Sequence, residues 1–107
     1  MNPYDKAREL AKAIEESPQY KNFQEAKKLI EDKPSAKKMV EDFQKKQLEY
    51  QRKALSGEED PEAENKLKEL YAALSLDSDA ANFMNTEFSL GQMLQEIMKI
   101  LSDVLER

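Results

Sequence analysis

The sequence predicts an all-α protein: about five helices in an elongated antiparallel bundle with a long central C-terminal helix. Three observations carry this. Apolar residues recur at intervals of three and four along most of the 107 residues, which is the period of a helix face. Three prolines directly follow a capping residue, as Asn2-Pro3, Ser17-Pro18 and Asp60-Pro61. Each therefore reads as a first-turn residue, where a missing N–H costs nothing. Only two glycines are present, and charged residues make up 36% against 39% apolar, a balance closer to helical bundles than to sheets.

The first helix is expected over Pro3–Glu16, with Tyr4, Ala7, Leu10, Ala11 and Ile14 facing inward. The second runs from Pro18 to about Asp32, with Tyr20, Phe23, Ala26, Leu29 and Ile30 inward. Pro34 follows Asp32-Lys33 and precedes Ser35, so the start there is Lys33 or Ser35, and the third helix is expected from about Ser35 to Ser56. Its stripe is Met39, Val40, Phe43, Tyr50 and Ala54, interrupted at Lys46 and Gln47, and Gly57 suits the left-handed position after its end. Gly57 to Asp60 is a small, acidic loop. The fourth helix follows from Pro61 to about Leu76 on Ala63, Leu67, Leu70 and Leu74. The connections are a few residues each, so successive helices should fold back on one another within a single domain, residues 1–107.

Asp77-Ser78-Asp79 caps the fifth helix, Ser78 to about Glu106, which at 1.5 Å per residue is roughly 40 Å long. A compact chain of this size has a radius of gyration of about 13 Å, so such a helix overhangs it. From Met93 to Leu105, eight of 13 residues are apolar and form two adjoining seams. One is Met93, Ile97, Ile100 and Val104; the other is Leu94, Met98, Leu101 and Leu105. Together they are wider than one neighbouring helix can cover. A homodimer is therefore expected, with Met93, Ile97, Ile100 and Val104 as its interface residues, although the pattern leaves open which seam turns to the partner.

Two residues interrupt the apolar arc of this helix. Glu87 falls near its middle, which predicts a buried carboxylate held by a hydrogen-bonding or cationic partner. Gly91 costs about 1 kcal/mol relative to alanine inside a helix, which predicts close approach of another backbone or a kink.

Composition removes most chemistry. There is no cysteine and no histidine, hence no disulfide, thiol nucleophile, iron–sulfur cluster or His-bound metal. No glycine-rich phosphate loop occurs. The reading is of a protein that is not an enzyme and needs no cofactor or metal. The longest apolar run is five residues, Leu70 to Leu74, too short for a membrane span, and the charged first turns do not resemble a signal peptide. A cytoplasmic location is expected. The net charge is −5, but unevenly spread: Lys21 to Lys53 carries ten basic and six acidic residues, and Ala54 to Arg107 four basic and twelve acidic. The doublets Lys27-Lys28, Lys37-Lys38 and Lys45-Lys46 would meet RNA phosphates if they shared a face. Neighbouring lysines on a helix point about 100° apart, however, and the favoured reading is a solvated surface. A short echo, Ala26 to Asp32 repeated as Ala36 to Asp42, is read as two amphipathic helices using similar words.

Two blocks point to a family. The first is Asn2-Pro3-Tyr4-Asp5-Lys6-Ala7-Arg8-Glu9-Leu10-Ala11 with Glu16-Ser17-Pro18-Gln19-Tyr20. The second is Asp79-Ala80-Ala81-Asn82-Phe83-Met84-Asn85-Thr86-Glu87-Phe88 leading into the apolar helix. Together they resemble the YlbF/YmcA family of small helical proteins from Firmicutes, closest to its YheA-like branch, across nearly the whole chain. The resemblance implies a dimeric, cytoplasmic regulatory adaptor without catalysis. Family members act in competence, sporulation and biofilm control, assemble with other small regulatory proteins and influence RNase Y-dependent mRNA processing. Iron–sulfur clusters held on cysteines in some of those assemblies are not carried over, because this chain has no cysteine. The alternative is an RNA-associated protein that uses the lysines of the second and third helices.

Overall fold

The structure is a computed structural model that describes residues 2–107. Five helices follow in order, with no strand among the described residues: α1 (Pro3–Glu16), α2 (Pro18–Glu31), α3 (Pro34–Leu55), α4 (Pro61–Ser75) and α5 (Ser78–Leu105). Their starts are made by short side chains, as expected. Asn2 Oδ1 accepts from the Tyr4 N–H at 2.8 Å, Ser17 Oγ from Tyr20 at 3.2 Å, and Asp60 Oδ1 from Ala63 at 3.1 Å. Asp77 Oδ1 takes both the Asp79 and the Ala80 N–H at 3.0 Å. The exception is α3, where Lys33 precedes Pro34 and makes no side-chain cap. Its ammonium reaches across to Asp79 instead, tying the α2–α3 corner to the first turn of α5.

The α3 end is a paired-carbonyl stop. The Gly57 N–H donates to the Ala54 carbonyl at 3.1 Å and the Glu58 N–H to that of Lys53 at 2.9 Å. That geometry needs the first of the two donors in the left-handed region, and Gly57 sits there with φ +84°.

The core lies at one end of the molecule. Its buried side chains are Ala26 and Ile30 near the end of α2, and Ala36, Val40 and Phe43 near the start of α3. Leu74 comes from the end of α4, and Ala80 and Phe83 from the start of α5. Four helix ends converge there, and three of the eight buried residues are alanines, which lets backbones approach closely. Phe23 packs its ring 5.3 Å from that of Phe83, and Phe43 lies 5.7 Å from Tyr71.

From this vertex the helices fan out as two antiparallel pairs. α2 runs back along α5: Lys33 pairs with Asp79, and Pro18 and Gln19 at the other end lie beside Asn85, Thr86 and Ser89. α4 runs back along α3, pinned at the turn by Lys53 and Asp60 at 2.9 Å. The molecule measures 51 × 38 × 15 Å with a radius of gyration of 17.2 Å. A compact chain of this length would have about 13 Å, and the shortest dimension leaves room for no more than two helix layers at 8–10 Å spacing.

Two faces differ from the sequence expectation. The α1 stripe does not turn inward: no residue of α1 is buried, and Tyr4 is 74% exposed. α1 continues from the end of α2 that points away from the core, and among the described residues α2 is the one helix it approaches. In α5, both buried residues, the ring contact of Phe83 with Phe23 and the Gln44–Glu87 hydrogen bond all lie in the N-terminal half. The more apolar half, Met93 to Leu105, runs on past the vertex.

Candidate functional site

The distal half of α5 is built as a helix by its residues: Met, Leu, Glu, Gln and Lys are strong helix formers, with Asp77 and Asp79 favouring the start. Its apolar residues are far more exposed than is usual for such side chains. Ile100 is 67% and Val104 60% exposed, and Leu94, Met98, Leu101 and Leu105 are exposed as well; Met93 and Ile97 are half-buried.

Counting 100° per residue separates the two seams. Thr86 and Ser89, which face the start of α2, lie on the same strip as Met93, Ile97, Ile100 and Val104. α2 ends on that strip at Pro18, beside Ser89; beyond it Met93 and Ile97 are half-buried, and Ile100 and Val104 lie open. The other seam, Leu94, Met98, Leu101 and Leu105, prolongs the face that carries Ala80, Phe83 and Glu87 at the vertex. It borders the opening between α3 and α5, a shallow groove lined by Gln47, Met84, Glu87, Phe88, Gly91, Gln92 and Gln95.

Glu87 corrects the expectation of burial. It is half-buried, and no polar or charged residue is buried among the described residues. Its Oε2 accepts a hydrogen bond from Gln44 Nε2 at 3.0 Å. The physical reason is position. Glu87 lies one turn beyond Phe83, where α3 begins to part from α5, so the carboxylate keeps water on one side and a neutral amide suffices on the other. Gln44 itself was not legible as a partner, since nothing local marks it; it follows from how α3 crosses α5. Gly91 also differs. A Cβ built there meets nothing within 4 Å, so no backbone of this chain approaches it closely.

Within each helix the two lysines of a doublet point in different directions. On α3, Lys38 and Lys45 are seven residues apart and point away from the buried line Ala36, Val40 and Phe43, with Glu41 and Asp42 between them. Lys37 and Lys46 lie on opposite flanks, paired with Glu31 at 3.1 Å and Glu49 at 3.5 Å. On α2, Lys28 points away from Ala26 and Ile30, and Lys27 sits on a flank. The carboxylates beside Lys37 hold its ammonium above the usual lysine range, chiefly through the Glu31 hydrogen bond.

The chain matches the family model described as control of competence regulator ComK, YlbF/YmcA, over residues 4–106. It belongs to the YlbF/YmcA family. Its relatives include a UPF0342 protein of Caldicellulosiruptor bescii, 40% identical over 98% of this chain and 89% of the relative. A UPF0342 protein of Symbiobacterium thermophilum is 38% identical over 96% of this chain and 93% of its own length. One from Staphylococcus epidermidis is 32% identical over 99% and 94%. No solved structure matches the chain. The family description concerns regulation, and the relatives' names state no enzymatic activity. No helix of the described residues is long and apolar enough to cross a membrane.

Proposed function

We propose that this YlbF/YmcA family member is a non-enzymatic, homodimeric adaptor of the bacterial cytoplasm, of the YheA-like branch, acting through protein–protein contacts. The observation that carries this is the bare distal half of α5. Two apolar seams run side by side for about 20 Å, and six of their eight residues are exposed, Met93 and Ile97 alone being half-buried. Soluble chains rarely leave such a strip open, and symmetric pairing of one surface with its copy is the commonest cover. Pairing along Met93, Ile97, Ile100 and Val104 would leave the groove beside Glu87 for other small regulatory proteins. The family's description supports a place in competence control, and by resemblance in sporulation, biofilm formation and accessory steps of mRNA processing.

Sedimentation equilibrium at tens of micromolar tests the dimer: the expected mass is twice the 12.4 kDa of one chain, and a persistent single-chain mass refutes it. Mobility shifts over a salt series test the RNA alternative. Contacts by Lys27, Lys28, Lys37, Lys38, Lys45 and Lys46 would give affinity falling steeply with salt, whereas the adaptor reading expects no measurable binding.

A further inference from the structure

α1 is a helix with little cover: it approaches α2 alone, and of its apolar stripe only Leu10 and Ile14 are half-buried. It has 14 residues, none buried, and it makes no approach to α5. A free helix of that length is marginal in water, because most helical stability comes from packing an apolar face. α1 has such a face in Tyr4, Ala7, Leu10, Ala11 and Ile14. Its direction is set by a one-residue corner, where Ser17 Oγ donates to the Ile14 carbonyl at 2.6 Å and accepts from the Tyr20 N–H. That corner stands next to Asn85, Thr86 and Ser89 of α5. The molecule thus holds two largely open apolar stripes, on helices that do not approach one another within the chain. Their lengths agree: α1 and the stretch Met93 to Leu105 are each about 20 Å.

We propose that α1 is an exchanged arm, whose stripe packs on the seam Leu94, Met98, Leu101 and Leu105 of a second copy of this chain. The inference rests on the homodimer reading above and deepens it. If two α5 helices pair antiparallel along Met93, Ile97, Ile100 and Val104, the twofold axis falls between Ile97 and Ile100. The partner's α5 then takes up the strip where α2 stops, beside the Ser17 corner. α1 leaves that corner alongside the partner's α5, whose second seam is free. Symmetry repeats the contact, so each α5 gains two covers, one per seam, and each α1 gains one.

The absence of native cysteine makes the test direct. Full-length Leu10→Cys and heavy-nitrogen-labelled Leu101→Cys are refolded together and treated with a short bismaleimide, and linked chains are identified by mass. The expected result is a labelled–unlabelled linked pair, with none when Glu58→Cys, in the distant α3–α4 loop, replaces Leu101→Cys. Leu10→Asp, at a half-buried position of a helix that buries no residue in the single chain, should also weaken dimerisation at least tenfold with helicity unchanged. A dimer by sedimentation that yields no mixed link, or whose dissociation constant ignores Leu10→Asp, overturns the arm and leaves the dimer standing. A monomer under the same conditions overturns both.

Discussion

Gln44 and Glu87 join α3 to α5 with one charge-assisted hydrogen bond in a site that water still reaches. Such a bond contributes little net stability when both partners can turn to solvent. Glu87→Gln is expected to cost about 1 kcal/mol or less in urea denaturation, and Glu87→Leu to be near neutral. A loss of several kcal/mol for either would mean the carboxylate is desolvated after all. Asp60 is different in kind, because it caps α4 and binds Lys53 at once. The Lys53 ammonium first, and the Ala63 N–H second, hold its carboxyl below the usual range. A folded-state value below the unfolded one stabilises above the ordinary carboxylate pKa of about 3.9 and is lost as pH falls through the folded value. Lys53 carries the opposite sign: its ammonium is held above the usual range, chiefly by Asp60, so its share is present below about 10.4 and lost as pH rises beyond that. Asp60→Asn should therefore keep the helix start yet flatten the acid limb of a stability-versus-pH curve, measured by denaturation from neutral pH down to about pH 2. An unchanged limb would remove the Lys53 pairing from the account.

At the scale of the elements, the boundaries were legible because their causes are local. Asn2, Ser17, Asp60 and Asp77 cap within three residues of themselves, the prolines mark first turns, and Gly57 supplies a left-handed stop. Gly57→Ala should cost about 1–2 kcal/mol for that reason, read as a fall in denaturation midpoint. What the sequence left illegible was where each apolar face would find its cover. α1 and α2 show equally plain stripes, yet α2 ends at the vertex and buries Ala26 and Ile30, whereas α1 starts beyond it and buries nothing. The same applies to α5, whose less apolar half is the embedded one. Burial is a property of the meeting point, and no periodicity encodes that. Gly91 is a different case: its cost in the helix suggested a close backbone or a kink, and no backbone of its own chain comes near it. With open space around it, Gly91→Ala should stabilise the folded chain by up to about 1 kcal/mol. A loss instead, seen only at dimer-forming concentrations, would place a second backbone there.

For the whole molecule, the thinness of the core sets the stakes. Among the described residues eight are buried, three of them alanines, and Leu74 is the largest side chain fully enclosed. Leu74→Ala should cost 2–5 kcal/mol, roughly, which is a large part of a stability of about 5–15 kcal/mol for a domain. A chain so sparsely packed gains more from association than a compact one, because the paired state alone is stabilised by mass action. The midpoint of thermal unfolding should accordingly rise with protein concentration. The decisive variants are Ile97→Asp and Ile100→Asp. Ile100 is largely exposed in the single chain and lies far along α5 from Ala80 and Phe83, so a charge there does not enter the vertex. In a dimer the same charge would face its copy across the axis and be desolvated without a partner. The expected sequence of events on dilution is dissociation first, to particles of 12.4 kDa that keep their helical circular dichroism, and unfolding later. If Ile100→Asp instead unfolds the chain while the mass stays single throughout, Ile100 belongs to an intrachain core and α5 does not pair along this seam.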